Sequence, residues 1–433
     1  MDYGLAASLC IVSMLVFLLL GVPIAFALGV STVVFGALAF GPMALQKVGQ
    51  VTFTLFYNFS WTPLPLFVLM ACVITETTIG EDLYKVARNW VAGIRGSLIS
   101  ATILGEALIA ATVGVSGAAI VALGKVADPE FQRYGYDRSL ALGGLMCGGV
   151  LGPLIPPSTP FIIYGVIANV SVGHLLIAGI IPGIVLAIML AAVPVIICWR
   201  NPKLGPAAEP ATWSVRFRSL TKVWPVVIVM AAIIGSIFFG VATPTEAAGV
   251  GCVVIIIIAV AFFHLKPRSL YRAMIEAAVI NSMMLVIIVS ASFFSYLLAS
   301  AGVSGALGGL ITSLHVSPIV VVIAIMILYL LLGCFFDAIT ITILTVPIFA
   351  PLLTSLGLDL VWFGVLYVVN LEIGLITPPM GINLFFVRNV FNVTTGELLK
   401  GATPFLITLG IFLIIILAFP QLSLWLPNLM TKG

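Results

Sequence analysis

Charge is what this chain has least of. Asp, Glu, Lys and Arg make up 8% of its 433 residues, against about 25% in a soluble domain, so water is not its main solvent. Histidine is scarce too: His174, His264 and His315 each fall near the end of an apolar segment, which argues against a haem or a histidine-built metal centre. The six cysteines stand singly in apolar stretches with no Cys-x-x-Cys spacing, and they read as small packing residues without zinc or dithiol chemistry. Neither a Gly-x-x-x-x-Gly-Lys-Ser/Thr loop nor a His-Glu-x-x-His helix occurs. The chain is therefore not expected to hydrolyse a nucleotide or to act as an intramembrane metalloprotease. With no nucleophile–base cluster, no enzyme and no cofactor are expected, and a net charge of only +3 gives nucleic acid no purchase.

What is there is hydrocarbon, at 62% of the residues. Stretches such as Leu5–Leu20, Trp224–Gly240 and Gly249–Phe263 suit spans of about 20 residues, the length that crosses a hydrocarbon core of about 30 Å. A lipid-spanning chain without short alternating strands must be helical, because each backbone polar group has to be satisfied within its own segment. The expected fold class is thus an all-α polytopic membrane protein of about a dozen apolar segments. The first of them lacks the basic flank of a secretory signal and continues through Phe40, so it reads as mature membrane sequence.

Basic residues set the orientation. Lys and Arg gather at 85–95, 125–138, 200–222, 266–272 and 388–400, and these loops are assigned to the cytoplasm, leaving only Lys47 and Lys432 on the far face. Residues 97–127 then carry basic clusters at both ends and must enter and leave by one face. With Gly105, Glu106, Gly114, Ser116 and Gly117 near the middle, the segment reads as a re-entrant hairpin, whose irregular tip needs protein or a water-filled cavity around it.

Setting Pro156-Pro157 against Pro378-Pro379 gives an offset of 222 residues, and Gly135, Asp137, Gly152 and Gly179 then meet Gly357, Asp359, Gly374 and Gly401. Residues 1–200 form a first repeat, with a hairpin at about 97–127 and a broken helix at about 139–169. Residues 201–222 form a basic cytoplasmic linker. Residues 223–433 form the second repeat, with a hairpin at about 319–351 and a broken helix at about 361–392. The charge assignment puts the two hairpins on opposite faces, so the repeats are inverted, a plan that places sites near the midplane where broken helices meet.

Each double proline removes two backbone donors and breaks its helix. The freed carbonyls, with the hydroxyls of Ser158 or Thr377, are hard oxygen ligands of the kind that replace the water around an alkali cation. Two equivalent cation sites are expected, each between a hairpin tip and a broken helix; the alternative is proline-kinked packing alone. Asp337 lies in a deeply apolar stretch, where a charge costs at least ~2.5–3.5 kcal/mol. Three roles stand open for it: cation ligand, helix cap, or acceptor for substrate hydroxyls. Thr340, Thr342 and Thr345 follow it. Thr243-Pro-Thr-Glu246 has capping-box spacing, which assigns Glu246 to structure. Glu106 and Glu372 either contact a cation site or face the interior.

The segments GVSGAAIVALG, GPLIPPSTPFIIYG, GCFFDAITITILTVPIF and IGLITPPMGINLF, with GVATPTEAAGVG, resemble the large membrane subunit of the tripartite ATP-independent periplasmic transporters over essentially the whole chain. The resemblance implies sodium-coupled import of an organic acid across the bacterial inner membrane by an elevator-type transport domain moving against a scaffold. It also implies a soluble periplasmic binding protein that delivers the acid, a separate small membrane subunit, and about two sodium ions. The first sodium site is implied at Ser116, Gly117, Gly152 and Pro156, and the second at Gly333, Asp337, Thr377, Met380 and Gly381. Substrate contacts are implied at Ser116, Ser158, Asp337 and Thr340. The family's first hairpin tip usually reads Ser-Gly-Ser-Ser; here it reads Ser116-Gly117-Ala118-Ala119, so one hydroxyl expected to face substrate is missing. A stand-alone divalent-anion/sodium symporter of the same plan, or an ion channel, are the competing readings.

Overall fold

A computed structural model describes residues 2–41, 43–114, 116–302, 305, 309, 316–379 and 381–430. Lys432, His315 and Met380 lie outside them. All regular structure among the described residues is helical. Along Ile24–Phe40 the residues Phe26, Val30, Val34 and Leu38 are exposed at a spacing of four, while Ala27, Leu28, Ser31, Thr32 and Gly36 are buried. One face of this helix is apolar and outward, as lipid requires, and the small residues face protein.

The expected hairpins and breaks form with identifiable stops. The first hairpin pairs Ser97–Val113 with Ser116–Arg133, and the second pairs Pro318–Gly333 with Ala338–Ser355. The first broken helix runs Arg138–Leu154 and Thr159–Ala168, bent by 43°. The second runs Leu360–Leu375 and Ile382–Phe391. Both start on an aspartate cap, Asp137 and Asp359, and both end on a left-handed asparagine, Asn169 (φ 55°) and Asn392 (φ 51°). Asparagine tolerates that conformation at a helix C-terminus and ends the helix there. The matched caps make the repeat a physical correspondence as well as a textual one. Capping boxes close the N-termini at Thr243–Glu246, as its spacing predicts, and at Thr394–Glu397.

Packing follows a two-fold pattern. The first arm of each hairpin lies on the first arm of the broken helix in its own half, while each second arm crosses to the second arm of the broken helix in the other half. Glycines permit the closest approaches. A Cβ on Gly333 would come within 2.7 Å of the Gly374 Cα, so the second hairpin and second broken helix touch backbone to backbone. At the centre, Tyr367 stacks on Tyr164 (5.6 Å) and meets Tyr329 edge-on (4.8 Å). Their hydroxyls are satisfied in place: Tyr164 donates to the Leu360 carbonyl (2.8 Å), Tyr367 pairs with Thr342 (2.6 Å), and Thr345 donates to Tyr329 (3.0 Å). The three rings join both broken helices to both arms of the second hairpin.

The halves differ outside this centre. Pro267–Ser300 is one continuous helix of 34 residues, whereas its first-half counterpart turns by 62° between Gln46–Tyr57 and Phe59–Thr75. The Asn58 side chain accepts from Ser60 N (3.0 Å), starting a new turn, and Pro63 and Pro65 cannot donate to carbonyls one turn back.

Candidate functional site

Two hairpin tips and two helix breaks surround one cavity of about 390 Å³. At the first tip, Gly114 adopts a left-handed conformation (φ 65°) and a Cβ there would stand 2.4 Å from the Pro157 carbonyl oxygen. Only glycine lets this tip reach the first break. Across the break, the Ser158 hydroxyl donates to the Pro153 carbonyl and accepts from Phe161 N (3.3 Å), so it caps the helix that follows. Both double prolines contain a cis peptide bond.

At the second tip, Asp337 caps its own helix, one of the three roles its sequence position left open. One carboxylate oxygen accepts from Ile339 N (3.0 Å) and Thr340 N (3.2 Å), the Thr340 hydroxyl donates to the other, and the residue also lines the cavity. Gly381 N donates to the Cys334 carbonyl (3.1 Å), tying this tip to the second break. A Cβ on Gly381 would lie 2.9 Å from the carbonyl oxygens of both Leu375 and Thr377, so glycine here keeps a cluster of main-chain oxygens uncovered. The Thr377 hydroxyl donates to the Ile373 carbonyl (2.6 Å).

Ser116, Gly117 and Asp337 line the cavity; Ser158, Thr340, Gly152, Pro156, Gly333, Thr377 and Gly381 do not, and stand behind it at the tips and breaks. Met380 is outside the described residues. Sequence leaves Glu372 between contacting a cation site and facing the interior, and does not single out Asn383. Glu372, buried at 1% exposure, faces the cavity from the second broken helix, and so does Asn383, whose amide nitrogen lies 3.4 Å from the Glu372 carboxylate and 3.1 Å from the Ser116 hydroxyl. Asn383 sits in the quoted motif but carries no charge to draw notice in an apolar run. Glu106 points elsewhere: it is buried without a hydrogen-bond partner among the described residues and presses on Gly148, where a Cβ would fall 1.9 Å from its carboxylate. Among the described lining residues the cavity has two carboxylates and no Lys, Arg or His.

Residues 11–422 match the family model of the tripartite ATP-independent periplasmic transporter, DctM component. The C4-dicarboxylate TRAP transporter large permease protein DctM of Pseudomonas aeruginosa is 33% identical over 90% of this chain and 91% of its own length. The sialic acid TRAP transporter permease protein SiaT of Haemophilus influenzae is 31% identical over 96% of this chain and 67% of its own. Among solved structures, the Alcanivorax borkumensis YdaH transporter, described as having an unusual topology, superposes with a TM-score of 0.66 over 95% of this chain and 98% of its own at 16% identity, a likeness of fold alone. The chain belongs to the large permease family of the tripartite ATP-independent periplasmic transporters and is a multi-pass protein of the inner membrane.

Proposed function

We propose that this chain is the permease of a sodium-coupled importer that receives a small organic acid from a periplasmic binding protein and passes it through the cavity between its hairpin tips. The observation that carries this reading is the meeting of both tips and both breaks around one cavity of about 390 Å³, within the ~300–1,000 Å³ usual for small-molecule sites. Main-chain carbonyls gathered at Gly381, with Thr377 behind them, supply oxygen ligands for a cation at the second break. Ser116, Gly117, Gly152 and Pro156 supply the first. Asp337 contributes to the second cation site and, with Thr340 fixing its orientation, accepts from substrate. Two sodium ions would neutralise a cavity that otherwise repels an anion. A small membrane subunit enlarges the scaffold, and the tips with the breaks move together as the transport domain of an elevator.

The relatives named for a C4-dicarboxylate and for sialic acid define the first acids to try. Proteoliposomes holding this chain, its small partner and the binding protein should accumulate labelled acid only under an inward sodium gradient. Robust sodium-driven uptake by this chain alone would refute the tripartite reading in favour of a stand-alone symporter, and conductance far above transporter turnover in a planar bilayer would favour a channel.

A further inference from the structure

We infer that Glu372 and Asn383, with the Ser116 hydroxyl shared from the first sodium site, form an additional cation site, built from both halves of the chain and opening on the substrate cavity. The inference rests on the ion-coupled reading above. The three side chains come from the first arm of the second broken helix, its second arm, and the first hairpin tip, so no single tip–break pair contains them. All are buried, at 1%, 2% and 6% exposure, and all line the cavity.

Their spacing is the first argument. The Ser116 hydroxyl stands 3.3 Å from the Asn383 amide oxygen and 3.1 Å from its nitrogen, and that nitrogen is 3.4 Å from Glu372. A buried hydroxyl–oxygen hydrogen bond closes to about 2.7–2.8 Å; the Ser116 and Asn383 oxygens, 3.3 Å apart, are held wider than that. Oxygens about 2.4 Å from a cation of calcium or sodium size stand about 3.4 Å from one another along an octahedral edge. Carboxylate, amide carbonyl and hydroxyl are the oxygen donors such a cation takes.

Charge is the second argument. Asp337 has both oxygens engaged by Thr340 and by two backbone N–H groups of its own helix. Glu372 has the long contact to Asn383 and the Ser116 hydroxyl beside it, and no Lys, Arg or His among the described residues that line the cavity. A buried carboxylate with so little compensation costs several kcal/mol, and an incoming organic anion adds to the repulsion. A monovalent cation at Glu372 removes both terms. It also makes substrate entry depend on prior ion binding and joins the first tip to the second break while the ion is present.

Purified full-length chain can be tested with radioactive sodium alone, choline replacing it, by counting ions bound per chain at saturation. Glu372→Gln should bind one ion fewer than the wild type. Asn383→Leu should weaken that ion at least ~10-fold, while Asn383→Asp, which keeps two oxygens in place, should retain it. An unchanged count in folded Glu372→Gln overturns the site. If Glu372→Gln does not fold, equal sodium affinity in Asn383→Leu and Asn383→Asp overturns it instead. A wild type that binds no sodium at all sinks the ion-coupled reading itself, which separates the two failures.

Discussion

The two hairpin tips occupy equivalent places in the repeats and bring different chemistry. The first is glycine and hydroxyl: Gly114 presses against the Pro157 carbonyl, and Ser116 and Gly117 face the cavity without charge. The second carries Asp337, capped onto its own helix by two backbone N–H groups. The other carboxylate of the cavity, Glu372, also comes from the second half. The halves share a backbone plan and differ in what their tips bring to the cavity, uncharged glycine and hydroxyl from the first and a carboxylate from the second.

Removing the charge from the second tip tests that difference most severely. Asp337→Ala should abolish sodium-driven uptake in proteoliposomes while the purified protein stays monodisperse; near-normal uptake would make the two tips equivalent after all. Next in size is the first tip. Gly114→Ala places a methyl 2.4 Å from a carbonyl oxygen at a positive φ, a strain of about 1–3 kcal/mol, and uptake should fall by roughly ten-fold or more with sodium affinity at the second site unchanged. Equal loss of that affinity would show the two halves coupled through more than shape. Thr377→Ala, behind the second break, should raise the sodium concentration for half-maximal uptake several-fold, and an unaltered sodium curve removes Thr377 from the site. The smallest effect is expected at Glu106, whose carboxyl group has no hydrogen-bond partner among the described residues. Glu106→Gln keeps the shape and removes a buried carboxyl group, so uptake should be unchanged and the melting temperature equal or higher; a large loss of uptake would give the first half a carboxyl function of its own.

The repeat was legible because glycine, proline and asparagine punctuate helices through their own backbone preferences. Asn169 and Asn392, the paired prolines, and Asp137 with Asp359 mark the same stops in both halves. Asp337 was legible because a carboxylate in an apolar run has few reasons to be there. The bend at Asn58 was not, since only the absence of a bend in the longer second-half helix makes it stand out. Asn383 was hidden for a different reason: an uncharged amide gains meaning from what lies across the cavity, and the crossing of second arms between halves is a tertiary fact. Ser158, prominent beside its double proline, spends its hydroxyl on the Pro153 carbonyl and on its own helix.

The stacked tyrosines set a mechanical condition on how the cavity can change sides. Tyr164, Tyr329 and Tyr367 rivet both broken helices to the second hairpin with rings in contact and hydroxyls bonded, and separating them would strand buried polar groups. On the elevator reading proposed above, a stroke that carries the cavity across the membrane would translate this block whole. On the same reading the compliance would come from the periphery, and the 62° turn at Asn58, which the opposite half lacks, is where the frame would yield.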